Sequence, residues 1–195
     1  MLQTSYHLSF PFVFEHDGDI FMIPEAQENK RLEVWRATDF PMQWELFSTA
    51  FEGRGVADSC VFEYEGQWWL TTNLSQTTRK DYCNELHVFM VNGPDLQSIT
   101  PHPNNPVVID SRCARNGGRP FVQDGKLIRP AQNNSYGMYG YGLKLMQVTR
   151  LTDTEYEEQA VFEAGPAIRA GMVGVHHIDA LDDIFIFDYC RGSRR

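Results

Sequence analysis

The chain has 195 residues, enough to bury a core, and with no low-complexity linker it is expected to form a single domain over residues 1–195. Its 42% hydrophobic and 22% charged residues exclude a disordered chain, and 13% aromatics suit many short strands or a sugar-facing surface. A formal net charge of -9 argues against a nucleic-acid partner, which calls for clustered Lys and Arg.

The first unit spans about residues 6–55. Asp17-Gly18 lies between two apolar runs. That is a strong hairpin signal, because a tight primed turn needs positive φ, which Gly and Asp tolerate. Residues 31–37 alternate and predict a third strand. Residues 38–41 predict a turn, since Pro41 fixes φ and cannot donate to a ladder, and residues 44–51 predict a fourth strand. Four antiparallel strands are the content of a propeller blade.

The second unit, about 56–112, repeats the hairpin at Glu65-Gly66, followed by Trp68 and Trp69. Residues 75–82 predict an exposed loop and residues 85–91 a third strand. The Pro- and Asn-rich stretch 100–106 predicts irregular backbone before the apolar residues 107–109. The third unit, about 113–166, turns at Asp124-Gly125. A Gly- and Tyr-rich stretch follows at 133–142, then a strand at 143–149. Residues 155–162 fit a strand or a short helix, and their place in the repeat favours the strand. A fourth copy at 178–187 has Asp182-Asp183 at its turn, and residues 191–195 are expected to fray. A repeat of roughly 50 to 60 residues marks a propeller or solenoid array.

None of Cys60, Cys83, Cys113 and Cys190 sits in a CxxC pair, so free buried thiols are expected, with two disulfides open if the protein is exported. The N-terminus lacks the basic start and apolar core of a signal peptide, and no apolar run approaches a membrane span. A soluble, cytoplasmic protein without a membrane partner is expected.

Several segments occur in a set order: residues 9–18, Met22-Ile-Pro-Glu25, Glu33-Val-Trp-Arg-Ala37 with Phe40-Pro41 and Trp44, Arg119 to Gln132, and Gly174-Val-His-His177. That order resembles the glycosidase-like five-bladed β-propellers. These are relatives of the family 43 glycoside hydrolases and include the propeller domain of glucosamine inositolphosphorylceramide transferase-like proteins. The likeness covers about residues 6–190. It implies an all-β, β-propeller-like fold, of about four blades or a reduced five-bladed ring that lacks the first blade. A ring short of a blade exposes a sheet edge. The N-terminal segment covering the gap, dimerisation, or closure with fewer blades would each answer it.

In a propeller, the start of each inner strand and the end of its hairpin partner share one rim. This picks His7, Ser9, Asp58, Arg115, Arg119, His176 and His177 before the hairpins, and Glu25, Asn73 and Gln132 about seven residues after each turn glycine. Glycoside hydrolysis needs two carboxyl groups flanking the scissile bond, which makes Glu25 and Asp58 the catalytic candidates. The plainer readings are a strand-end cap or Arg partner for Glu25 and an ordinary turn residue for Asp58. By the resemblance, Asp58 stands where related propellers carry Asp-Pro, here with Ser59 in place of Pro, and the catalytic base would come from the lacking first blade.

Asn73, Arg115, Arg119, Gln132, His176 and His177 are the substrate-binding candidates. Arg115, Arg119 and Arg129 suit an anionic group or structural salt bridges. His176, His177 and Asp179 are metal-ligand types, but neighbours in an extended strand face opposite sides. A single axial His touching sugar, water or one axial metal ion is expected, with no other cofactor. Trp68, Trp69, Tyr139 and Tyr141 suit sugar stacking, with packing between blades the plainer role for the Trp pair. The expected function is a carbohydrate-interacting propeller that hydrolyses or binds a small-molecule sugar. The competing reading is a non-catalytic structural or oligomerisation module, a homodimer included.

Overall fold

The computed structural model describes residues 2–75, 81–181 and 184–192, which hold strands and three short 3-10 turns and no α-helix. They gather into two compact units, Met1–Tyr82 with His87–Pro101, and Cys83–Leu86 with His102–Arg195.

The first unit holds two antiparallel four-strand meanders. One is β1 (Ser9–His16), β2 (Asp19–Glu25), β3 (Leu32–Asp39) and β4 (Gln43–Ala50); the other is β5 (Val56–Tyr64), β6 (Gln67–Leu74), β7 (Glu85–Val91) and β8 (Ile99–Pro101). Both opening hairpins turn as expected. Asp17 and Gly18 have φ of 51° and 82°, and Glu65 and Gly66 have 52° and 77°. Positive φ at both central residues is the primed turn whose twist matches that of the flanking strands.

Past the turns, each hairpin carries a bulge, between Ser9 and Phe12 in β1 and between Ala57 and Cys60 in β5. Phe10 (φ 45°) and Asp58 (φ 46°) are the left-handed residues of the two bulges. The bulges let Ser9 face Glu25 and Ala57 face Asn73 at the far end. Strand starts and partner-strand ends therefore do meet at one edge, as the repeat predicts.

Alternation in β1 buries Phe12 and Phe14, while β2 is buried without a break from Phe21 to Glu25. Phe12, Phe14 and Phe21 join Ile23, Leu32 and Val34 in one core with Val56, Val61, Leu70 and Phe89 of the second meander. Each such side chain, fully buried, is worth about 1.5–3 kcal/mol.

Two expectations need correction. Thr100 and Pro101 are not irregular but belong to β8, because the β7 residues Phe89 to Val91 need a ladder partner, and Pro101 is tolerated on an edge strand. The loop expected at 75–82 falls partly outside the described residues, and its Tyr82 is buried, not exposed. Gly55 makes room for that ring, since a Cβ there would lie 1.9 Å from the Tyr82 hydroxyl.

In the second unit, β9 (Val108–Ile109) pairs with Glu85 and Leu86 at the start of β7. A meander follows: β10 (Phe121–Gln123), β11 (Lys126–Asn133), β12 (Gly142–Leu151) and β13 (Tyr156–Ala164). Its turn repeats the pattern, with Asp124 at 51° and Gly125 at 72°. β13 confirms the strand reading of 155–162. Two short pairs complete the unit, β14 (Met172–Gly174) with β17 (Cys190–Arg191), and β15 (Ile178–Leu181) with β16 (Ile184–Phe187). The Asp182-Asp183 turn lies outside the described residues. Arg191 is not frayed, because β14 gives it a ladder partner.

Leu143, Ala164, Met172 and Val175 form a small core. The fully buried Arg129 bonds both carboxylate oxygens of Glu158 (2.9 and 2.7 Å), the Asn116 side chain and the Cys113 carbonyl. All four cysteines are free, but only Cys60 is buried. Cys190, at the start of β17, is exposed.

Candidate functional site

In the first unit Glu25, Asp58 and Asn73 lie at the strand ends and are 7%, 2% and 0% exposed. Ser59, the residue in the place of a proline, has a structural part. Its hydroxyl is 2.7 Å from that of Thr72, which also reaches the Ala57 carbonyl at 3.1 Å, so the pair pins the bulge that carries Asp58.

A third buried carboxylate was not singled out from the sequence. Glu33 is fully buried and accepts hydrogen bonds from the Tyr6 hydroxyl (2.9 and 2.8 Å), Asn29 Nδ2 (2.6 Å), Arg31 Nε (2.9 Å) and Trp35 Nε1 (3.1 Å). Burial pushes its pKa up, but the donors of Tyr6, Arg31, Asn29 and Trp35 more than offset this and hold it below the ordinary value. Through Tyr6 this group ties the N-terminal segment to β3.

In the second unit the structure brings Arg115 and Gln132 together. The Gln132 amide donates to the Arg115 carbonyl (2.8 Å), and Gln132 Nε2 to the Asn116 carbonyl (3.0 Å). The Arg115 guanidinium lies 5.2 Å from the centre of the Tyr139 ring. Arg119 takes the structural alternative, bonding Asp179 at 2.9 Å.

That pair corrects the histidine expectation. Asp179 is engaged elsewhere, and residues 175–177 are not in a strand, so the two histidines are not forced to opposite sides. Their backbone amides both donate to Asp188 Oδ1 (3.0 and 2.8 Å), while His176 Nδ1 meets Asp188 Oδ2. Burial raises the Asp188 pKa, but His176 and the two amides outweigh it and bring the pKa down to about 2. Among the described residues no cluster of three or more His, Cys, Asp or Glu is placed to hold a metal ion.

His176 and Asp188 line a cleft of about 420 Å³ with Tyr139, Gly140, Val175, Tyr189 and Cys190. The Tyr139 ring meets the His176 ring edge-on at 5.4 Å. Glycines let the walls approach. A Cβ on Gly174 would lie 2.5 Å from the Gly140 carbonyl, and one on Gly140 (φ 67°) would lie 3.2 Å from His176 Cβ. The Asn134 side chain accepts from the Gly140 amide at 2.7 Å, which explains the Gly- and Tyr-rich stretch as one wall of the cleft. Two tyrosines beside an oriented imidazole and carboxylate give the mixed lining that small-molecule sites have.

The sequence signal for Asp188 was its place at the end of the fourth hairpin. The place that Glu25, Asn73 and Gln132 hold, seven residues after the second turn residue, falls on Cys190 in this hairpin, two residues beyond Asp188.

Solved structures resemble the chain in fold. An α-L-arabinofuranosidase from Lactobacillus brevis matches with a TM-score of 0.57 at 12% identity, over 82% of this chain and 54% of its own. An exo-β-1,3-galactanase from Clostridium thermocellum matches with 0.55 at 15% identity, over 86% and 39%. The fold is thus all-β and propeller-like.

Among the described residues no helix is long and apolar enough to cross a membrane. By sequence the chain is 37% identical over 186 residues to glucosamine inositolphosphorylceramide transferase 1 of Oryza sativa subsp. japonica, and 34% over 185 residues to that of Arabidopsis thaliana. These matches cover 92% and 91% of this chain, but it spans only about a quarter of the length of those curated relatives. Residues 1–173 match the family described as glucosamine inositolphosphorylceramide transferase 1, N-terminal, and the chain belongs to that family.

Proposed function

We propose that the chain is a carbohydrate-binding domain and that its ligand sits in the cleft of the second unit. The observation that carries this reading is the pairing of Tyr139 and Tyr189 with the Asp188-held His176 in one cleft. An aromatic face packs against the C–H face of a sugar ring, and fixed polar groups beside it meet the hydroxyls. The family supports the ligand class, since the relatives' name carries glucosamine. Arg115 and Gln132 hold the Tyr139 wall from behind. His177 anchors Asp188 through its backbone, and Arg119 fixes β15 through Asp179.

Hydrolysis has less support. Glu25 and Asp58 are its acid/base candidates, but both are buried, and the left-handed backbone at Asp58 recurs at Phe10, so it belongs to the hairpin bulge and is not special to a carboxylate.

One observation favours a self-associating structural module as the second reading. Ile184, Phe185, Ile186 and Phe187 of β16 are all exposed, although a continuous apolar run is the pattern of a strand covered on both faces.

A thermal-shift screen against mono- and disaccharides, uronic acids and sugar phosphates tests the first reading. A ligand at a hundred times its dissociation constant adds about 2.7 kcal/mol to folding. At least one sugar should raise Tm, and Tyr139→Ala should remove the rise. No shift with any sugar, together with a dimer in light scattering, would favour the module.

A further inference from the structure

We infer that Arg169 and Arg191 form an anion subsite at the Tyr189 end of the cleft, which selects a sugar carrying a phosphate or carboxylate over a neutral one. The inference rests on the reading of the cleft as a carbohydrate site. Tyr189 lines the cleft. The guanidinium carbons of Arg169 and Arg191 lie 5.0 and 5.3 Å from its ring centre, and Arg191 Nη2 donates to its hydroxyl at 3.0 Å.

The fold builds this convergence. Arg169 caps the 3-10 turn Pro166–Ile168, its carbonyl accepts from the Met172 amide (3.1 Å) in the turn that follows, and Met172 pairs with Arg191 across β14 and β17. Sequence separation is 22 residues, so no local motif requires it.

The charge environment is the telling part. The chain has 26 acidic and 17 basic residues, and Arg31, Arg36, Arg112, Arg119, Arg129 and Arg150 each meet a carboxylate. Arg169 and Arg191 are exposed, and among the described residues neither pairs with one. Asp188 next to Tyr189 gives its oxygens to His176 and two amides. Two guanidiniums thus share one ring with no carboxylate partner among the described residues, in a protein with acid to spare. The guanidinium fork matches the oxygens of phosphate and carboxylate, and such charge-assisted bonds are the strong ones.

The test is a calorimetric titration with glucose, glucose 6-phosphate, glucuronic acid and inorganic phosphate. It is run on the unchanged chain, on the double variant Arg169→Gln/Arg191→Gln, and on Tyr139→Ala. Both arginines are exposed, and a thermal melt checks that the double variant folds.

The expected result is at least one charged sugar bound about ten-fold or more tighter than glucose, a preference that shrinks in the double variant and at raised salt. Equal affinity for glucose and both charged sugars, or a preference that survives the double substitution, would overturn the subsite and leave the cleft reading standing. Inorganic phosphate bound as tightly as glucose 6-phosphate would overturn the sugar-linked selection. No binding by any of the four would overturn the subsite, and binding unchanged by Tyr139→Ala would instead move the sugar out of the cleft.

Discussion

The two units solve the same packing problem with different completeness. In the first, two four-strand meanders share one core, and the polar groups at their strand ends are sealed. In the second, one meander is followed by two short strand pairs, the core is small, and Ile184 to Phe187 are exposed. The same strand-end position that buries Glu25 and Asn73 in the first unit falls on Cys190 in the last hairpin of the second, where it is exposed and lines an open cleft beside Asp188. A strand end that packing seals in one unit lines a cleft in the other, where the packing around it stops.

The largest effect should come from Arg129→Met, which leaves the buried Glu158 without its cation. A loss of about 3–5 kcal/mol is expected in urea unfolding, and a loss confined to the second unit would show that the units unfold separately. A change under about 1 kcal/mol would mean that the pair is not structural.

Glu33→Leu comes next in the first unit, stranding several donors at a cost of about 1–3 kcal/mol. Because Glu33 titrates below its ordinary value when folded, its contribution is full above the unfolded pKa and lost as pH falls through the folded one. The variant should therefore show a flatter acid limb in a stability–pH series.

Asp188 behaves in the same sense in the second unit. With a folded pKa of about 2, below the unfolded value, its contribution is full above about pH 4 and declines as pH falls toward about 2. Asp188→Asn should remove that dependence near the cleft, read by Tyr fluorescence, while leaving the acid response of Glu33 in place.

The smallest effect should be Glu65→Asn. Glu65 sits at φ 52° in a turn, where Asn is tolerated better than Glu, so a gain of about 1 kcal/mol and a higher Tm are expected. A lower Tm would mean that the Glu65 side chain makes a contact that matters.

Much of the fold was legible because its signals are local. Asp17-Gly18, Glu65-Gly66 and Asp124-Gly125 fix three hairpins through backbone sterics alone, and counting from their glycines places Glu25, Asn73 and Gln132 at equivalent strand ends. What failed depended on distant partners. β8 exists because β7 needs an edge partner, against the composition of 100–106. Tyr82 is buried because Gly55, far along the chain, leaves a space.

Glu33 reads as an ordinary outward residue of an alternating strand, and only the folded positions of Tyr6, Asn29 and Trp35 reveal the network around it. Asp188 lies two residues short of the repeated strand-end place, and its bonds to His176 and His177 exist only in the fold.

The most direct measurement is a titration of the sugar with the largest thermal shift against three forms of the chain: unchanged, Tyr139→Ala/Tyr189→Ala, and Glu25→Gln/Asp58→Asn. Binding should be lost in the tyrosine variant and kept in the carboxylate variant, with both still folded. Binding kept without the tyrosines and lost without the carboxylates would place the ligand at the buried strand ends of the first unit and contradict the assignment of the cleft.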